Sequence, residues 1–220
     1  MDITIVDIKK DPSVELYIQK ADEHLAAMGF TEHGFRHANL VSNIARNIMT
    51  RLLFSPRQAE LAAIAGYIHD IGNMVSRQYH SLSGATIAER LLSNLNMKPD
   101  EVATIIGAIG NHEEEYGHAV NEVASALILA DKSDVHRTRV RNPDLVTFDI
   151  HDRVNYAVTR SFLDVEAEEK TITLNLTIDT HICPVMEYFE IFLLRMVMCR
   201  RAAKFLGASF NLIVNETKLL

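Results

Sequence analysis

A mainly α-helical bundle carrying a small C-terminal α+β appendage is the fold class that three features of this 220-residue chain predict. Apolar residues recur at intervals of three and four from about residue 12 to residue 135, where β-branched alternation is scarce. The connections between these periodic segments are short and polar, as suits helices packed side by side. After residue 141 the texture changes, and Thr171-Ile172-Thr173-Leu174-Asn175-Leu176-Thr177-Ile178 alternates in the manner of a strand. A hydrophobic content of 48% is ample for a core.

The first helix opens at Pro12 and Ser13 and ends near Gly29, and the second begins around Phe35 with Leu40, Val41, Ile44 and Ile48 as its stripe. Ser55, Pro56 and Gln58 form a capping box at the start of the third, which Gly72 ends. Its stripe is Leu61, Ile64, Ala65 and Ile68, while Ala59, Ala62, Ala63 and Gly66 make a smooth side for a close neighbour. Further helices are expected over Ser83–Leu95, Pro99–Asn111 and Asn121–Val135. The appendage should comprise a hairpin between Ser161 and Thr180 turning at Glu166–Lys170, a helix over Pro184–Leu206 stopped by Gly207, and a strand over Ser209–Val214. The expected division is a helical metal-binding domain, residues 1–145, and an appendage, residues 146–220, packed on it.

A net charge of −7 argues against a surface built for bulk nucleic acid or anionic lipid, and favours a small phosphorylated ligand held by a local cationic patch. Two cysteines, Cys183 and Cys199, make neither a disulfide framework nor a thiolate zinc site, which fits a reducing, cytoplasmic setting. No apolar run approaches the ~20 residues that span a bilayer. The Met- and aromatic-rich stripe Met186, Tyr188, Phe189, Phe192, Met196 and Met198 suits core packing or a homodimer contact.

Chemistry is carried by a few polar residues at core-facing positions. His37 extends the stripe of Leu40 and Val41 inward, and His112 continues Val102, Ile105, Ile106 and Ile109. Asp131 shares the buried side of its helix with Val123, Leu127 and Ala130, where an unpaired carboxylate would cost several kcal/mol, so a cation is expected beside it. His69 and Asp70 add two more donors, and a metal explains the set better than four separate packing accidents.

His37, then His69-Asp70 in Tyr-Ile-His-Asp-Ile-Gly-Asn, then Asp131 in Ala-Asp-Lys-Ser-Asp, resembles the H…HD…D signature of the HD superfamily. The resemblance covers roughly residues 30 to 140. It implies a helical bundle that holds one or two divalent ions (Fe, Mn, Mg or Zn) and hydrolyses phosphoester bonds, often in nucleotides. His80 and His112 fall where dinuclear branches carry extra histidines. By that similarity Asp70 bridges, His37, His69 and Asp131 hold the first metal, and His80 with His112 the second. Asn73 stands where several branches carry lysine, and the Gly-Tyr-Pro of the cyclic-di-GMP phosphodiesterases is absent.

The reaction the resemblance implies is attack by a water whose pKa the metal lowers to about 7, with His69 and Asp70 as the catalytic pair. Candidate substrate contacts are Arg36 next to His37, Lys132 next to Asp131, His33 one turn before His37, and Arg137 in the run Arg137, Arg139, Arg141. Glu113 is a candidate to orient His112 or a water. The ligand set alone does not separate a hydrolase from a di-iron HD oxygenase, and a catalytically silent nucleotide or metal sensor is the third reading.

Overall fold

The computed structural model describes residues 2–142, 144 and 147–220. The expected division between residues 145 and 146 therefore falls outside the described residues. Helices α1 (Ile5–Lys10), α2 (Pro12–Ala27), α3 (Phe35–Arg51), α4 (Pro56–Ile68), α5 (His80–Asn94), α6 (Pro99–Gly110) and α7 (Glu122–Lys132) form the bundle. A short helix, α8 (Ile150–Ala157), leads into strands β1 (Val158–Glu166) and β2 (Thr171–Ile178), then α9 (Val185–Phe205), β3 (Ser209–Val214) and β4 (Thr217–Lys218). The mainly α fold with a small appended sheet is thus present, and no helix among the described residues is long and apolar enough to cross a membrane.

Local chemistry explains most boundaries. The Ser55–Gln58 capping box and Pro56 in the first turn of α4 are both formed. Asn121 caps α7 by accepting a hydrogen bond from the Ala124 amide, and Pro184 sets the start of α9. Gly207, at φ +73°, ends α9 in the left-handed region that glycine enters without steric cost. α1 was not foreseen; at six residues it is too short to show a period, although Thr4 and Asp7 make a reciprocal cap. α8 was missed for the same reason, its start marked by Asp149, which accepts from the Asp152 amide at 2.8 Å.

Two boundaries near the site differ from expectation. Gly72 does not end α4: the helix stops at Ile68, His69 is its cap, and Ile71–Met74 forms a separate 3-10 turn. α5 begins at His80 rather than Ser83, after Tyr79 at φ 58°. Both follow from one close contact. A Cβ at Gly72 would overlap the His80 carbonyl oxygen and stand 2.5 Å from the Gly84 amide nitrogen. Gly72 is there for the approach of two backbones, and the approach places His80 beside Asp70.

α3 and α4 are similarly close. A Cβ at Gly66 would lie 3.0 Å from the Ser42 backbone, and the Ser42 hydroxyl donates to the Ala63 carbonyl at 2.8 Å, which bears out the smooth side of α4. The sheet has order β1-β2-β3-β4, antiparallel, parallel and antiparallel in turn. The parallel β2–β3 pair requires a crossover, and α9 supplies it. Ile172, Leu174, Leu176 and Ile178 of β2 and Phe210, Leu212 and Val214 of β3 face inward, and one continuous core runs from the bundle into the appendage. α9 splits its stripe: Tyr188, Phe192, Met196 and Met198 are buried, whereas Met186 is 67% exposed.

Candidate metal centre

Five helix ends meet at one end of the bundle. His37 comes from the first turn of α3, His69 from the cap of α4, Asp70 from the residue after it, His80 from the start of α5, His112 from just beyond α6 and Asp131 from the last turn of α7. All four histidines are buried, and the side chains of Asp70 and Asp131 are each 12% exposed. The structure therefore brings together all six residues named as ligands from sequence.

The histidines are oriented alike. Nδ1 of His69 donates to the Gly66 carbonyl at 2.9 Å, Nδ1 of His112 to the Ile109 carbonyl at 2.6 Å, and Nδ1 of His80 to the Arg77 carbonyl at 3.1 Å. Nδ1 of His37 donates to Oδ2 of Asp134 at 2.7 Å. A carbonyl or carboxylate oxygen only accepts, so each Nδ1 holds the proton and each neutral Nε2 presents a lone pair. Those lone pairs converge: Nε2 of His37 and His69 are 3.3 Å apart, and Nε2 of His80 and His112 are 3.1 Å apart.

The carboxylates lie between them. Oδ2 of Asp70 is 3.3 Å from Nε2 of His69 and 3.6 Å from that of His37, while Oδ1 is 3.4 Å from Nε2 of His80 and 3.9 Å from that of His112. Oδ1 of Asp131 is 3.3 Å from Nε2 of His37 and 3.6 Å from that of His69. Lone pairs and anions facing one another at such range repel unless a cation joins them. Ligands bonded to an ion at about 2.0–2.2 Å stand at comparable separations, so the donor set fits a divalent metal. His37, His69 and Asp70, His69, His112 and Asp131, and Asp70, His80 and His112 are each able to hold an ion.

The electrostatics carry the same demand. Without a metal, burial opposes charge on His69, but Asp70 and Asp131 outweigh it and push its pKa up to about 10, so a proton on Nε2 stands where a bound cation would leave the lone pair free. Burial raises Asp70 and Asp131 in turn, yet His69 holds Asp70, and Lys132 holds Asp131, well below the usual carboxylate range. Burial keeps His33 and His112 neutral.

The remaining residues named from sequence divide. Lys132 faces the site: its Nζ is 2.8 Å from Oδ2 of Asp131 and 3.3 Å from Oε1 of Glu114. His33 lines the same pocket, its ring centre 5.4 Å from that of His37. Glu113 is 3.2 Å from Nδ1 of His80, so it supports that histidine rather than His112. Arg36 instead bonds Glu32 and Asp134 and lines a separate groove with Leu40 and Phe162, because its place on α3 points it away from His37's ring. Arg137 lies over the Tyr156 ring, outside the pocket.

Sequence reasoning missed three participants. Asp134, one turn beyond Asp131, accepts from His37 and is clamped by Arg36 and Arg139; burial would raise its pKa, but Arg139 first, then His37, hold it far down. Arg77 and Arg195 line the pocket beside Asp70 and Glu114. Asp134→Ala frees His37 to rotate and is expected to weaken metal affinity about 10–100-fold, read by competition with a chromogenic chelator; unchanged affinity would reduce Asp134 to packing.

A helical bundle with a convergent His/Asp centre is the architecture of a metal-binding HD domain. The HD domain family matches residues 32–157, more than half of the chain, and the chain belongs to that family. It is also similar, at 27% identity over 172 residues, to an uncharacterized protein of Methanocaldococcus jannaschii, in a match covering 68% of this chain and 65% of that protein.

Proposed function

We propose that this chain is a metal-dependent phosphohydrolase acting on a small phosphoester, such as a nucleotide, at a dinuclear centre bridged by Asp70. His37, His69 and Asp131 would hold one ion and His80 with His112 the other. The observation that carries the reading is the division of Asp70, whose two carboxylate oxygens each face a different pair of Nε2 lone pairs. When bound, the metal supplies a lowered pKa for a coordinated water and polarisation of a phosphoryl oxygen.

The chain's own residues do the rest. The outward hydrogen bonds of the four Nδ1 atoms fix tautomer and ring angle, and Asp134 does this for His37 with a full charge. Arg77, whose guanidinium meets the Asn73 amide oxygen at 3.5 Å and the Phe30 ring and makes no ion pair among the described residues, lines the pocket and suits a phosphoryl oxygen. Lys132, Glu114 and Arg195 form a linked rim, so residues 146–220, taken as an appendage, contribute to the site through α9.

The test is elemental analysis of protein purified without chelator, followed by phosphoester assays with Mn, Mg, Fe or Zn under air and under nitrogen. About two ions per chain and equal turnover without oxygen are expected. Failure to bind any of the four metals would end the proposal, and turnover that consumes oxygen would transfer the site to the oxygenases.

A further inference from the structure

The metal pocket opens into a cleft of about 340 Å³ walled by the segment before α3, by α8 and by α9. The two are continuous, since His33, Arg77, Glu114, Arg139 and Arg195 line both. The inner end is cationic at Arg77. The outer end presents acceptors: Asp149, Asp152 and Asn155, with one imidazole, His151, lying 3.9 Å from Asp149.

Asn155 is the informative residue. It is 5% exposed, and its amide nitrogen donates to the His151 carbonyl at 2.9 Å, which fixes which way the amide faces. Its Oδ1 accepts no hydrogen bond among the described residues. A buried amide oxygen without a donor is uncommon in folded proteins, and at the wall of a cleft it marks a place where a ligand's donor belongs. Burial and the neighbouring Asp149 carboxylate also raise the pKa of Asp152, so the pair of acids gains from a cationic partner.

We propose that this outer cleft is a recognition subsite for the non-reacting half of the substrate, and that this half carries an amine, held by Asn155 Oδ1 with Asp149 and Asp152 alongside. The substrate class is then a small phosphoester with anionic and ammonium ends, phosphoryl group at Arg77 and the metal centre, amine at α8. This rests on the phosphoester reading of the metal site. Phosphonates separate the two claims, because their carbon–phosphorus bond makes binding measurable without turnover.

The experiment titrates manganese-loaded protein with ω-aminoalkylphosphonates and with alkylphosphonates of equal chain length, two to five carbons, by calorimetry. At one length the amine should bind about tenfold tighter or more. Asn155→Leu should narrow that difference to about twofold, and Asp152→Asn, which removes no buried packing, should narrow it independently. Equal affinities for the two series would overturn the subsite and leave the phosphohydrolase reading standing. Binding of neither series would overturn both. A preference that survives in both variants, with metal content intact, would overturn the assignment to α8.

Discussion

Asp70→Ala is expected to leave the purified protein with almost no bound metal, whereas Asp131→Ala should keep about one ion per chain. The difference follows from geometry. Oδ1 of Asp131 is closest to His37 and His69, at 3.3 and 3.6 Å, so its loss weakens that half most and leaves Asp70, His80 and His112 as an intact group. Asp70 serves both halves, and without it two histidine pairs confront each other with no shared anion. Phosphoester turnover at neutral pH should fall about 10³-fold or more in the Asp70 variant, since water without the metal's influence is not ionised in that range. Elemental analysis beside the assay decides the matter. Two ions per chain in Asp70→Ala would show that Asp70 is not the bridge, whatever happens to activity.

Much of this candidate site was legible because its residues lie at positions where sequence pattern and burial cost coincide. His37, His112 and Asp131 each interrupt an apolar stripe, and a polar group there needs a partner. What escaped the sequence is what depends on pairing across the chain. Asp134 is 97 residues from His37, and Arg195 is 81 residues from the Glu114 that orients it. Neither has a local signature: an aspartate after Lys132-Ser133 and an arginine inside an apolar helix read equally well as surface residues. Asn155 is hidden for a third reason, since its significance is an unmade bond and not a residue type. The short elements α1, α8 and β4 gave too few residues for a period to emerge, and β4 depends on a tight turn in which Asn215 and Glu216 both take positive φ.

Gly72 shows how a correct residue can carry a mistaken reading, and it supplies the second large effect. A glycine near the end of an apolar helix suggests a cap, but Gly72 sits with Asn73 in the 3-10 turn that Asp70 precedes, pressed against the start of α5. Gly84 completes the contact from the other side: a Cβ there would meet the His69 carbonyl at 3.2 Å and the Gly72 nitrogen at 3.3 Å. Gly72→Ala must therefore push α5 away or distort the turn, at a cost of about 3 kcal/mol or more. For a chain of this size that lowers Tm by roughly 6–12 °C. The displacement falls on His80, so the variant should also lose the ion held by His80 and His112 while retaining the one at His37, His69 and Asp131. Gly107→Ala in α6 is the matched control, because its Cβ would meet nothing closer than 3.5 Å and a helix-interior alanine should add about 0.5–1 kcal/mol. Calorimetric unfolding with metal analysis on both variants tests the link between fold and site. If Gly72→Ala lost stability yet kept both ions, the contact would be structural alone, and the placing of His80 beside Asp70 would have to come from α5's packing on α6.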